Sequence, residues 1–128
     1  MKNLMSLKNL FLSSLLINNI AIADVPANRV IEVNHLLVFV SDSGCIINRN
    51  GTEHPAVEGI SHIEKKYDYF RDDITSTEEF TEYSANKSTM SCDYYMVSCS
   101  GMETIRTQDW LMAELKQFRT EQKSDRLK

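Results

Sequence analysis

The chain has 128 residues, 14 Lys and Arg against 18 Asp and Glu, and a formal net charge of −4 at pH 7. That length holds one domain and is too short for two. The basic residues are scattered except at Lys65-Lys66, so no phosphate-binding stripe forms and nucleic acid is excluded as an expected partner.

The first segment carries Lys2 and Lys8 and then "LFLSSLLINNIAIA", closing on the small residues Ala21-Ile22-Ala23. A charged start, a short apolar stretch and a small-residue close are the layout of a secretory signal peptide. A membrane anchor needs about 20 mostly apolar residues. Leu10 to Ala23 falls short of that and contains Asn18 and Asn19. Residues 1–23 are therefore expected to be cleaved after Ala23, leaving 12 basic and 18 acidic residues and a charge of −6. No cysteine follows the cleavage point, which argues against a lipid anchor. The expected organisation is a signal peptide over 1–23, one domain over 24–122 and a polar tail over 123–128.

In the mature part, Val33, Leu36, Leu37 and Val40 recur at the three-and-four spacing of a helix with one buried face. Pro26 suits its first turn and Gly44 its end. "CIINRNGTEH" predicts a hairpin turning at Asn50-Gly51, a pair that tolerates positive φ at both turn positions. Pro55 opens a second helix with Ala56, Ile60, Ile63 and Tyr67 inward. "TSTEEF" holds two overlapping capping boxes, Thr75 with Glu78 and Ser76 with Glu79, ahead of a third helix through Phe80 toward Lys87. "YYMVSC" predicts one more strand and Gly101 a turn. Thr107 is expected to cap a last helix with Leu111, Leu115 and Phe118 inward, and the polar end "TEQKSDRLK" to fray. The order predicts an α+β domain, about four helices packed on a small antiparallel sheet made of the hairpin plus one further strand.

Three cysteines in an exported chain predict a disulfide. Cys92 and Cys99 flank a β-prone run; extended, seven steps place them roughly 23 Å apart, against the about 4.4–6.8 Å a bridge needs. Pairing Cys45 with Cys99 beside adjacent strands is favoured, and Cys45 with Cys92 is the alternative.

The combination of "SGCIINRNGTEHPAVEGISHIEKKY", "STEEFTEYSANKS", "YYMVSC" and "DWLMAEL" resembles DUF5329, a family of small exported bacterial proteins of unknown function that includes the YfeK-like proteins. The matching positions are Cys45, Arg49, Asn50, Gly51, Glu53, His54, Glu58, His62 and Lys65 or Lys66 in the first block. Glu78, Phe80, Ala85, Lys87 and Ser88 match in the second, and Cys99, Trp110, Leu111 and Leu115 in the last. "MSCDYY" departs from the family's Ser-Gly-x-Pro-Tyr type turn, so Cys92 looks like a local substitution. The resemblance implies export and a compact fold, and it supplies no reaction.

Candidate chemistry is sparse. His54, Glu58 and His62 are spaced four and four, and on one helix all three would share a face, as a zinc-dependent hydrolase would require. The plainer role for Arg49, Glu53, His62 and Lys65 is hydrogen bonding that fixes the hairpin against the helix. Ser84 and Lys87 form a Ser-x-x-Lys pattern, too permissive to define a nucleophile without its companion motifs; Lys87 suits a helix C-terminus instead. Cys92, beside Ser91 and Asp93, has no neighbouring cation in sequence to activate it.

Binding candidates are Arg49, Glu53, His62, Lys87 and Trp110, although aromatics on element faces are more often core than groove. The expectation is a periplasmic or secreted, disulfide-stabilised binding module with no catalytic residues and no cofactor. Its partner would be another envelope or secreted protein, and no membrane span would remain after cleavage. The alternative is a small metal-dependent hydrolase using His54, Glu58 and His62.

Overall fold

The computed structural model describes residues 26–128, so the expected leader over 1–23 and its cleavage site lie outside the described residues. A single 3₁₀ turn over Ala27–Arg29 leads into helix α1, Val30–Asp42. Pro26 stands before that turn instead of inside the helix. α1 stops where Gly44 takes φ 67, the left-handed conformation that closes a helix without a Cβ penalty.

Strands β1 (Ile46–Arg49) and β2 (Thr52–Pro55) form the expected hairpin. Asn50 and Gly51 both have positive φ, 54° and 78°. This is the turn whose twist matches the flanking strands. Helix α2 (Ala56–Tyr69) follows, then a 3₁₀ turn over Arg71–Asp73 and helix α3 (Thr77–Ala85). Strand β3 (Met96–Ser98), a two-residue strand β4 (Ile105–Arg106) and helix α4 (Thr107–Asp125) complete the chain. The sheet order is β2-β1-β3-β4, antiparallel throughout. The fold is α+β as expected, with β4 an addition too short to show any periodicity. Pro55 is tolerated as the last residue of β2 because that strand is an edge.

The helices touch in the ring α1, α2, α3, α4, crossed by a contact of α1 with α3, and the sheet meets α2 and α4. Val33, Leu36 and Val40 of α1 meet Phe80 of α3, Leu111 and Leu115 of α4, and Ile47 and Val97 of the sheet in one core. α2 comes close to β1 at Gly59, where an added Cβ would stand 3.1 Å from Ile47 Cδ1. A side chain there would require Ile47 to give by a few tenths of an ångström.

Only one of the two capping boxes forms. Ser76 Oγ accepts the Glu79 amide at 3.0 Å, while the Glu79 carboxylate accepts from the backbone and hydroxyl of Thr75. Glu78 turns instead toward Arg119. Thr107 is not a cap: it is the first residue of α4, buried, with no hydrogen-bond partner for its hydroxyl among the described residues. α4 also continues through the polar stretch expected to fray, ending at Asp125.

Residues 86–95 form an irregular hairpin that leads into β3. Tyr95 N donates to Asn86 O, Ser88 N donates to Asp93 O, and Lys87 bridges Tyr94. Ser88 Oγ holds the tip by accepting from the amides of Met90 and Ser91. The Ser91 hydroxyl donates to Asn50 Oδ1 at 2.8 Å, tying this tip to the β1–β2 turn.

Candidate functional site

The register of the sheet decides which side chains face α2. Ile47 pairs His54 on one side and Val97 on the other, so His54, Ile47 and Val97 share the inner face and, by alternation, so do Arg49 and Tyr95. On α2, His62 and Lys66 are one turn apart and share a stripe. The two faces meet at Tyr95.

The buried Tyr95 hydroxyl lies 3.1 Å from His62 Nε2 and 3.5 Å from Lys66 Nζ, and Lys66 also donates to the Lys87 carbonyl at 2.7 Å. A lysine ammonium only donates. Tyr95 therefore accepts from Lys66, and the direction of its bond with His62 Nε2 follows from which imidazole nitrogen carries the proton. Lys66 also stands 5.1 Å from the Tyr95 ring centre, and the His62 ring meets the Tyr95 ring edge-on.

Burial, and after it the positive charges of Arg49, Lys66 and Lys65 and the nearby His54 imidazole, push the His62 pKa down to about 4. The ring is neutral at pH 7. Burial also lowers the Lys66 pKa and raises that of Tyr95.

Beside this triad lies a groove of about 410 Å³ lined by His62, Lys65, Lys66, Tyr69, Phe70 and Thr89. A recess of about 320 Å³ adjoins it across Lys66, Phe70 and Thr89, reaching Tyr83 and Cys92. The Phe70 ring is flanked by Tyr69 at 4.8 Å and Tyr83 at 5.3 Å. Tyr69 is 81% exposed. Asn86 Oδ1, on the wall of the recess, is buried without a partner among the described residues.

The expected site residues divide among different places. Arg49 and His62 come together here, and Lys87 contributes its carbonyl to Lys66. Glu53 pairs Asn48 on the outer face of edge strand β2 and is exposed. Arg49, Glu53 and Lys65 make no side-chain hydrogen bond with a described residue, and His62 bonds to Tyr95. The hairpin is instead held to α2 by the Ala56 amide on the Cys45 carbonyl, 2.8 Å, and by the Ile47–Gly59 approach.

Trp110 belongs to the core, 7% exposed against Phe39. His54 lies on β2 and not on a helix, Glu58 is exposed, and among the described residues no three His, Cys, Asp or Glu side chains gather closely enough for a metal ion. The four-and-four spacing fails because α2 begins only at Ala56, so His54 never joins the helical stripe. Ser84 is fully buried, its hydroxyl without a partner among the described residues, whereas Lys87 is exposed.

The disulfide joins Cys45 to Cys99 with Cα atoms 4.5 Å apart, and Cys92 is free and exposed. The register explains the pairing. Ile46 faces Ser98, so the next residues outward, Cys45 and Cys99, stand opposite each other.

A second polar cluster lies inside the helical layer. Glu32, 4% exposed, accepts two hydrogen bonds from Arg119, at 2.6 and 3.0 Å, and one from Thr77 at 2.7 Å. Arg29 approaches it at 3.3 Å. The guanidinium of Arg119 holds Glu32 and Glu78 below the usual carboxylate range against the opposing effect of burial. The sequence carries a signal for this pair: Glu32 continues the stripe of Leu36 and Val40, and Arg119 that of Leu111 and Leu115. For Lys66, Tyr95 and the Tyr69-Phe70 wall there is no comparable pattern.

Together these features define a small disulfide-stapled α+β domain with an open, cation-rimmed aromatic groove. The family model described as "Family of unknown function (DUF5329)" matches residues 27–119, and the chain belongs to that family. No curated protein and no solved structure matches it. Among the described residues no helix is long and apolar enough to cross a membrane.

Proposed function

We propose that this protein is an exported binding module of the periplasm or the extracellular space, and that its ligand site is the groove between the C-terminal half of α2 and the 86–95 hairpin. The observation that carries the reading is the groove itself. Its volume of about 410 Å³ falls in the range of small-molecule sites, which combine an apolar wall with a few placed polar groups. Tyr69 and Phe70 form the wall, and His62 and Lys66 are held in place by Tyr95. Export is supported by the composition of residues 1–23 and by the Cys45–Cys99 bridge, which suits an oxidising compartment.

Binding is tested by thermal unfolding of the mature chain, Asp24 to Lys128, against a panel of neutral, anionic and cationic organic compounds. A groove ligand at ten times its Kd stabilises by about 1.4 kcal/mol, a rise of about 6–11 °C in Tm for a domain this small. Phe70→Ala should abolish the rise. A panel with no stabilising compound, or rises that persist in Phe70→Ala, would remove the groove as the site. Export is tested by fractionation and N-terminal sequencing of the native protein, with Asp24 the expected first residue and an intact, reduced cytosolic chain the contrary result.

A further inference from the structure

We propose that the groove selects a small amphipathic monoanion, a single carboxylate on an apolar chain or ring, with the carboxylate at Lys65 and Lys66 and the apolar body along Tyr69 and Phe70. The proposal rests on the binding reading above and names the ligand class for it.

The first observation is an unneutralised cation. Lys66 is half-buried, and both acceptors of its ammonium, the Lys87 carbonyl and the Tyr95 hydroxyl, are neutral. A partly desolvated charge without a counter-ion is costly. The third N–H of the ammonium remains for a ligand. Burial lowers the pKa of Lys66, as expected for a cation lacking an opposite charge.

The second observation is the sign of the local field. The protein as a whole is acidic, yet Arg49, Lys65 and Lys66 collect on this side without an ion pair to any described residue, whereas Arg29, Arg71 and Arg119 each face a carboxylate. The charged groups acting on His62 are all positive, Arg49 from the hairpin and Lys65 and Lys66 from α2, with the His54 imidazole of the hairpin beside them. Tyr95, packed against it from the β3 side, brings a neutral hydroxyl. Among the described residues no carboxylate lines the groove, and Glu82 lies on the adjoining recess.

The third observation fixes the rest of the ligand. Tyr69 and Phe70 flank the lysines, and an exposed aromatic next to an unpaired ammonium matches a molecule with an apolar body and an anionic end. Among the described residues the groove has no Arg on its wall, so it lacks the planar fork that grips a phosphate dianion. Two lysine ammoniums, one already bonded to the Lys87 carbonyl and the Tyr95 hydroxyl, match the two oxygens of a single carboxylate.

The test is an amide NMR titration of the mature chain with octanoate, octanol, acetate and octylammonium, each below its micellar concentration. Octanoate should shift amides within 62–70 and 86–92 and saturate; octanol, acetate and octylammonium should bind at least tenfold more weakly. Lys66→Met and Lys65→Met should each weaken octanoate about five- to tenfold. Lys65 is exposed and free of hydrogen bonds, so the second variant tests the charge without disturbing Tyr95. Octanol binding as tightly as octanoate, or both variants binding octanoate normally, would overturn the anion assignment while leaving the groove a binding site. Octanoate leaving these amides unmoved, while another compound of the panel binds there, would overturn it in the same way. Failure of every compound at the groove would instead remove the binding reading beneath it.

Discussion

Replacing Arg119 by Met removes the cation that Glu32 was buried against. The Glu32 side chain is 5% exposed, and Arg119 supplies two of its hydrogen bonds. Removing one partner of a buried pair costs about 3–5 kcal/mol. Arg119 is 36% exposed, and Arg29 and Thr77 stay beside the carboxylate, so the expected loss at pH 7 is about 2–4 kcal/mol. The simultaneous loss of the contact to Glu78, whose side chain is 44% exposed, adds at most about 1 kcal/mol. Against a domain stability of about 5–15 kcal/mol the change is large, and it lowers the urea midpoint by about 1–3 M.

The pH dependence identifies the cause. In the native protein the Glu32 pKa is lowered, so its contribution is present above the unfolded value and is lost as pH falls. In Arg119→Met burial dominates and raises that pKa, so the penalty is greatest at pH 7 and shrinks toward pH 4, where the carboxyl takes up a proton. Urea denaturation at pH 7 and pH 4, with Glu32→Met and the double variant completing a cycle, reads both effects. The double variant should be more stable than Arg119→Met alone. A midpoint for Arg119→Met within about 0.3 M of wild type at pH 7, or a loss equal at both pH values, would refute the reasoning.

Three further outcomes are expected. The Cys45–Cys99 link closes a separation of 54 residues, so Cys45→Ala with Cys99→Ala should lose about 4 kcal/mol on the chain-entropy account; non-reducing peptide mapping should find that link, with only Cys92 alkylated in the native state. His62, whose pKa falls from 6.5 to about 4 on folding, binds fewer protons folded than unfolded in that interval. Stability should therefore drop by about 1–3 kcal/mol as pH falls from 6.5 to 4, allowing for partial exposure, and His62→Gln should flatten that drop; parallel curves for the two proteins would contradict it. Gly51 has φ 78 and open space where a Cβ would go, so Gly51→Ala meets only backbone strain, about 1 kcal/mol, readable as a small shift in urea midpoint with an unchanged slope.

What the amino-acid order determined by itself is local. The stripe Val33, Leu36, Val40 marks a helix with one buried face, Asn50-Gly51 turns a hairpin because both residues accept positive φ, and Ser76 caps α3 by accepting the amide three residues on. Chain reach excluded a Cys92–Cys99 bridge, because an extended segment cannot fold back on itself, but the choice of Cys99 over Cys92 as the partner of Cys45 came from the β1–β3 register. Tertiary structure decided what depends on register and on distant partners. The two residues of β4 are a strand only because β3 lies beside them, and α4 passes its expected fraying point to reach Asp125.

His54 was separated from the helical stripe of Glu58 and His62 by the boundary between β2 and α2. Tyr95 reached His62 and Lys66 only through the alternation of the sheet against α2. Glu32 and Arg119, 87 residues apart, show the limit most clearly. Each lies on a legible apolar stripe, but a buried charge becomes acceptable only when packing brings its opposite within hydrogen-bond distance, and that condition is met between helices and not along the chain.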